Sequence, residues 1–138
     1  MRAVLDVNVL ISGLLAPAGM PAALLRAWQE GRFELIVSPL LLAELERALA
    51  YPKLTRAIPP ADAQQFVAWL ADSAIRVDDP AAPPARRSED PDDDYLLALA
   101  QAHNAVVVSG DRHLLDLAGE LPIYAPAAFH ALLAELDR

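Results

Sequence analysis

Short apolar runs alternate with segments of helical periodicity along the whole chain, and this alternation narrows the fold more than any other feature. Arg2 to Val7 runs apolar (Ala3, Val4, Leu5) more than it alternates, as in a strand buried on both faces of a parallel sheet. Phe33 to Val37, Ala74 to Val77, Ala105 to Ser109 and Ile123-Tyr124 read as further strands, with Val106-Val107-Val108 the clearest. Between them, helices are predicted over Ile11 to Leu15, Pro21 to Glu30, Pro39 to about Tyr51, Ala61 to Ala71, Pro91 to His103, Asp111 to Leu117 and Ala127 to Leu136. Their boundaries have chemical causes. Pro21 suits a first helical turn and Gly31 a helix end, Ser38 is an N-cap before Pro39, and Pro52 stops the helix that follows. The pattern predicts an α/β fold with a parallel sheet between helices. The 138 residues fit one domain, 1–138. Asp79 to Ser88, with Pro80, Pro83 and Pro84, reads as an irregular surface connection too short to separate two domains.

With no cysteine, disulfides, thiolate metal sites and a cysteine nucleophile are excluded, which fits a reducing, cytoplasmic setting. The apolar start imitates a secretory signal, but Asp6 and Asn8 fall where its apolar centre would lie, so mature structure is expected there. No segment approaches the roughly 18 uninterrupted apolar residues of a membrane span, and a protein with no membrane partner is expected. The net charge of −8, from 11 basic and 19 acidic residues, counts against a nucleic-acid partner unless carboxylates converge on cations. Lys53 is the only lysine, so a mechanism needing one has a single candidate.

In open parallel sheets, ligands bind beyond the carboxyl ends of the strands. Asp6, in Asp-Val-Asn, ends the first strand, and Asp111, in Ser109-Gly110-Asp111, follows the valine strand. Glu44 lies on the helix after the second strand, and Asp90-Pro91-Asp92-Asp93-Asp94 opens another helix. Acids from four distant segments can thus meet at one sheet edge. Close carboxylates repel, so either their pKa values rise or a cation neutralises them. Oxygen-only ligands select Mg²⁺ or Mn²⁺, the ions of phosphodiester hydrolysis.

Each acid also has a purely structural explanation. Asp6, inside an apolar strand, is the hardest to explain as a solvated charge, whereas Asn8 can simply cap the following helix. Glu44 precedes Arg47 by three residues, so a helical ion pair accounts for it on residue physics alone. Asp90, Asp92 and Asp93 follow helix-start chemistry. Asp94 sits beside Leu97 and Ala98 at the start of a buried stripe, where function is the better reading. Asp111 suits a helix cap as well as a site.

Four segments in this order resemble the PIN-domain family, in particular the VapC-like toxin ribonucleases of toxin–antitoxin systems. They are Met1 to Ser12, Ser38 to Leu45, Asp90 to Ala100 and Val107 to Leu115, the last with a hydroxyl residue two before the acid. The resemblance implies a PIN-like three-layer α/β/α sandwich with a short central parallel sheet. It implies that Asp6, Glu44, Asp94 and Asp111 are the catalytic, metal-binding acids, overriding the ion-pair reading of Glu44. Asn8 and Ser109 match the auxiliary polar positions, Asp93 or Asp90 could add an outer contact, and Arg112 and Arg86-Arg87 are candidate phosphate contacts. The implied activity is an endoribonuclease dependent on Mg²⁺ or Mn²⁺ that uses metal-activated water, with an RNA substrate, a homodimeric state and an antitoxin partner. His103, His113 and His130 need no role in it, and His113 reads as a solvated surface histidine.

Two other classes are weighed. A Mg²⁺-dependent phosphotransfer domain wants a lysine after a later strand, and Lys53 lies elsewhere; a haloacid-dehalogenase-like version also wants an acid where Asn8 stands. A non-catalytic PIN-like binding module would be favoured by loss of an acidic segment, and all four are present. The stripes Leu24, Leu25, Trp28 and Phe66, Trp69, Leu70 read as core before interface.

Overall fold

The computed structural model describes residues 1–81 and 93–137. Among them, β1 (Arg2–Leu5) leads into α1 (Val7–Leu15) and α2 (Met20–Gln29), then β2 (Glu34–Val37) into α3 (Pro39–Leu49), α4 (Pro52–Thr55) and α5 (Pro60–Ser73). β3 (Ile75–Arg76) precedes the segment outside the described residues, after which come α6 (Asp94–Ala102), β4 (Val106–Val108), α7 (Arg112–Leu115), β5 (Ile123–Tyr124) and α8 (Pro126–Leu136). The strands form one sheet in the order β3-β2-β1-β4-β5, and every pairing is parallel. β1 registers Ala3, Val4 and Leu5 against Val106, Val107 and Val108. All six of those side chains are buried, which is why these strands read as continuous apolar runs.

Right-handed crossovers put the helices joining β1, β2 and β3 on one face of this sheet and α6 on the other. The packing agrees: α1 lies on α2 and α3, α3 on α5, and α2 on α8, while α6 packs on β1 and β4. The result is the expected PIN-like α/β/α arrangement. Leu24, Leu25, Phe66 and Leu70 are buried, and Trp28 meets Trp69 with ring centroids 5.0 Å apart, so both stripes belong to the core. Among the described residues no single helix is long and apolar enough to cross a membrane.

Most boundaries fall within a few residues of those predicted, and the differences are chemical. α1 begins at Val7, which puts Asp6 at the N-cap position and makes Asn8 an exposed residue inside the helix, so Asn8 is not the cap. Pro52 ends α3 as expected but also opens α4, because a first-turn residue needs no N–H. The predicted opening of α6 at Asp90-Pro91-Asp92 lies outside the described residues, as does the Arg86-Arg87 pair.

Gly31 closes α2 with φ +78°. Its N–H donates to the Trp28 carbonyl at 2.9 Å, and the next N–H, of Arg32, donates to the Ala27 carbonyl at 3.0 Å. This Schellman closure aims the chain into β2. A β-carbon here meets no neighbour, so only the left-handed backbone penalises a side chain. Gly31→Ala is expected to lower the unfolding free energy by about 1 kcal/mol in urea titrations, with no change in slope.

Candidate active site

The chain moves outward from β1 to β2 on one side, and β4 later joins β1 on the other. The carboxyl ends of β1 and β4 therefore flank a topological switch point, where parallel sheets open a crevice. Asp6 follows β1 there and Ser109 follows β4.

Asp6 is fixed by its backbone in two elements at once. Its N–H donates to the Val108 carbonyl at 2.9 Å, and its carbonyl accepts from Val9 at 2.9 Å and Leu10 at 3.1 Å. Its side chain is held by Ser109, whose Oγ donates to Asp6 Oδ2 at 2.7 Å. The same Oγ accepts from the Asp111 N–H at 2.9 Å, and Asp111 Oδ1 accepts from the His113 N–H at 2.8 Å. Asp111 thus does cap α7, while its backbone is tied to Asp6 through one fully buried hydroxyl.

Burial raises the Asp6 carboxyl above its ordinary 3.8, since the residue is only 6% exposed. The Ser109 hydrogen bond and the backbone N–H of Asn8 oppose this, the negative charge of Asp111 adds to it, and the Val7 N–H opposes it more weakly. A buried acid facing a second acid is a local excess of negative charge. Removing the relay should be costly. Ser109→Ala leaves the Asp111 N–H and one Asp6 oxygen unserved, and a loss of about 1–3 kcal/mol is expected in denaturant unfolding.

Tyr95, one residue into α6, marks a second meeting point. Its phenol is raised above its ordinary 10.0 first by burial, then by the charges of Asp6, Glu44, Asp93 and Asp79. Those acids come from the end of β1, the middle of α3, the start of α6 and the segment after β3. Glu44 reaches this point while paired with Arg47, three residues on, so the ion pair anticipated from spacing is present. Its side chain is 41% exposed. Asp93 is half-buried with its Oδ2 enclosed, and Asp94, also half-buried, is the first residue of α6.

The structure therefore joins Asp6, Ser109 and Asp111 directly, while the charges of Glu44 and Asp93 act on Tyr95. Asn8 and Arg112 are exposed, on α1 and at the start of α7, and His113 is exposed as expected. Among the described residues no three His, Asp or Glu side chains are grouped closely enough to hold an ion in this arrangement. Two residues at the site, Tyr95 and Asp79, are not singled out by the sequence pattern, which makes Asp79 the start of a surface connection. Asp79 is half-buried and accepts the Leu40 N–H at 2.9 Å. Asking which polar residues follow each strand would have found it, because Asp78-Asp79 directly follows the Ala74 to Val77 strand candidate.

Comparison with known proteins agrees with this architecture. The family model of the PIN domain matches residues 2–113. Among solved structures five chains are similar, one of them in the crystal structure of VapBC2 from Rickettsia felis bound to a DNA fragment from their promoter. That chain superposes with a TM-score of 0.61 at 14% identity, over 90% of this chain and 97% of its own. No curated protein sequence matches the chain. A family model spanning the first strand to the cap of α7 includes every acid described above, and the chain belongs to the PIN-domain family.

Proposed function

We propose that this chain is a divalent-metal-dependent endoribonuclease and the toxin of a cytoplasmic toxin–antitoxin pair. The observation that carries the reading is the buried Asp6–Ser109–Asp111 relay at the switch point between β1 and β4. Membership of the PIN-domain family supports it, as does a fold shared with a chain of a VapBC complex.

The donor set suits a hard cation. It is oxygen throughout, Asp6 is buried against the charge of Asp111, and a cation offsets both penalties. Asp6, Glu44, Asp94 and Asp111 are the proposed ligands, with Asp93 as an auxiliary outer contact. When bound, Mg²⁺ or Mn²⁺ supplies Lewis acidity at the phosphate and makes water more acidic. The chain's own residues orient and shield. Ser109 fixes one Asp6 oxygen, the His113 N–H holds Asp111, and the buried β1 and β4 ends lower the local dielectric. Glu44 Oε2 is paired with Arg47, so Arg47 would compete with a cation for this acid. Exposed Asn8 and Arg112 are assigned to water and phosphate contacts at the rim. A homodimer and an antitoxin chain complete the assembly.

The Glu44–Arg47 pair is the one observation favouring a second reading, a non-catalytic PIN module in which that acid is structural. Purified protein incubated with a mixed RNA pool separates the two. The nuclease cuts with Mg²⁺ or Mn²⁺ and stops in EDTA. A folded, metal-supplied protein that leaves the pool intact is the binding module.

A further inference from the structure

We infer that Asp79 is a positioning residue that clamps the start of α3, the helix carrying Glu44, at the mouth of the site. The inference rests on the nuclease reading above and assigns a role to a residue that reading does not use.

Asp79 lies beyond β3, at the edge of the sheet away from β4. The strand pairing Ile36 with Ile75 and Val37 with Arg76 is continued by the Val77 N–H, which donates to the Val37 carbonyl at 3.0 Å. The chain leaving β3 is thereby held beside the turn from β2 into α3. Two side chains serve the open N–H groups of that turn. Ser38 accepts from Leu41 at 3.3 Å as the local cap, and Asp79 accepts from Leu40 at 2.9 Å across 39 residues of sequence. Ser38 already supplies an N-cap, so the second acceptor does more than start a helix. It ties α3 to the sheet edge and, being anionic, complements the positive end of the helix.

The other Asp79 oxygen, Oδ1, is buried and has no hydrogen-bond partner among the described residues. A buried, unserved carboxylate oxygen is costly, and a surface cap would leave it in water. The carboxylate thus holds α3 with one oxygen while its other oxygen is enclosed. Glu44 lies little more than one turn beyond Leu40, so a shift of the helix start displaces it directly. An exposed aspartate serving only as a cap would not have the enclosed oxygen.

The test compares wild type, Asp79→Ala and Asp79→Asn with Leu133→Ala, a core truncation in α8 that lowers stability and leaves the α3 start intact. Three quantities are read: exchange of the Leu40 amide, Mn²⁺ affinity by titration, and kcat and KM for RNA cleavage. Asp79→Ala is expected to speed Leu40 exchange, weaken Mn²⁺ binding by about tenfold and lower kcat by about tenfold with KM little changed. Asp79→Asn keeps an acceptor oxygen for Leu40 and should recover most of each loss. If Asp79→Ala matches Leu133→Ala in Mn²⁺ affinity and kcat, the positioning role is overturned while the nuclease reading stands. If wild type neither binds Mn²⁺ nor cuts RNA, the nuclease reading falls and takes the positioning role with it.

Discussion

Asp6→Asn is expected to lower RNA cleavage by at least about a hundredfold, the loss of several kcal/mol of charge stabilisation at a metal-centred site. The fold should survive. Asparagine has the same shape, its amide oxygen can still accept from Ser109, and the substitution removes a buried charge facing Asp111. The pH dependence has a definite sign. Burial raises the folded carboxyl above 3.8, so the folded state retains a proton that the unfolded chain has released. The stability this group contributes is full below 3.8 and is lost as pH rises through the raised folded value. Asparagine suffers no such loss. In EDTA at pH 7 the variant should melt at or above wild type, and the difference should shrink as the pH falls toward 3.8. A variant that unfolds at neutral pH would mean that the Asp6 charge holds the structure together instead of costing it stability.

Phe129→Ala is expected to be the most destabilising of these substitutions, at about 3–5 kcal/mol. Phe129 is fully buried in α8 and stands edge-on to Phe33 at 5.2 Å, with Tyr124 of β5 at 6.3 Å. It joins the last helix to β5 and to the residue before β2, and α8 also packs on α2. The family match ends at residue 113, before β5 and α8. A loss of this size, measured by chemical denaturation as one cooperative transition, would establish that the segment after the match is part of the same folding unit. A loss below about 1 kcal/mol, or a separate early transition, would make α8 an accessory.

The layers were legible in the sequence because both periodicities are strong. Val106 to Val108 and Ala3 to Leu5 are buried on both faces and are therefore apolar without interruption. Ser38-Pro39 and Gly31 mark helix ends through backbone chemistry that tertiary packing does not override. The site was legible in part. Asp6 stood out because a charge within an apolar N-terminal run is hard to explain as solvated, although it follows β1 instead of lying inside it. Asp111 and Glu44 were ambiguous on local physics, and the structure contains both local interactions: Asp111 caps α7 and Glu44 pairs with Arg47. A residue can satisfy a local rule and also face a site, so such rules do not rank acids. Asn8 was misplaced by one helical boundary, since the N-cap fell to Asp6. Tyr95 and Asp79 were missed for a different reason. Their environment is made by segments far away in sequence, and no periodicity reports which acids a phenol will face.

The central claim is that the acids at the β1 and β4 ends bind a divalent cation, and Mn²⁺ titration of wild type beside Asp6→Asn tests it most directly. We predict saturable binding by wild type that weakens by about 10–100-fold in the variant, with both proteins folded. Equal affinity in the two proteins, or no binding by a folded wild type, would contradict it.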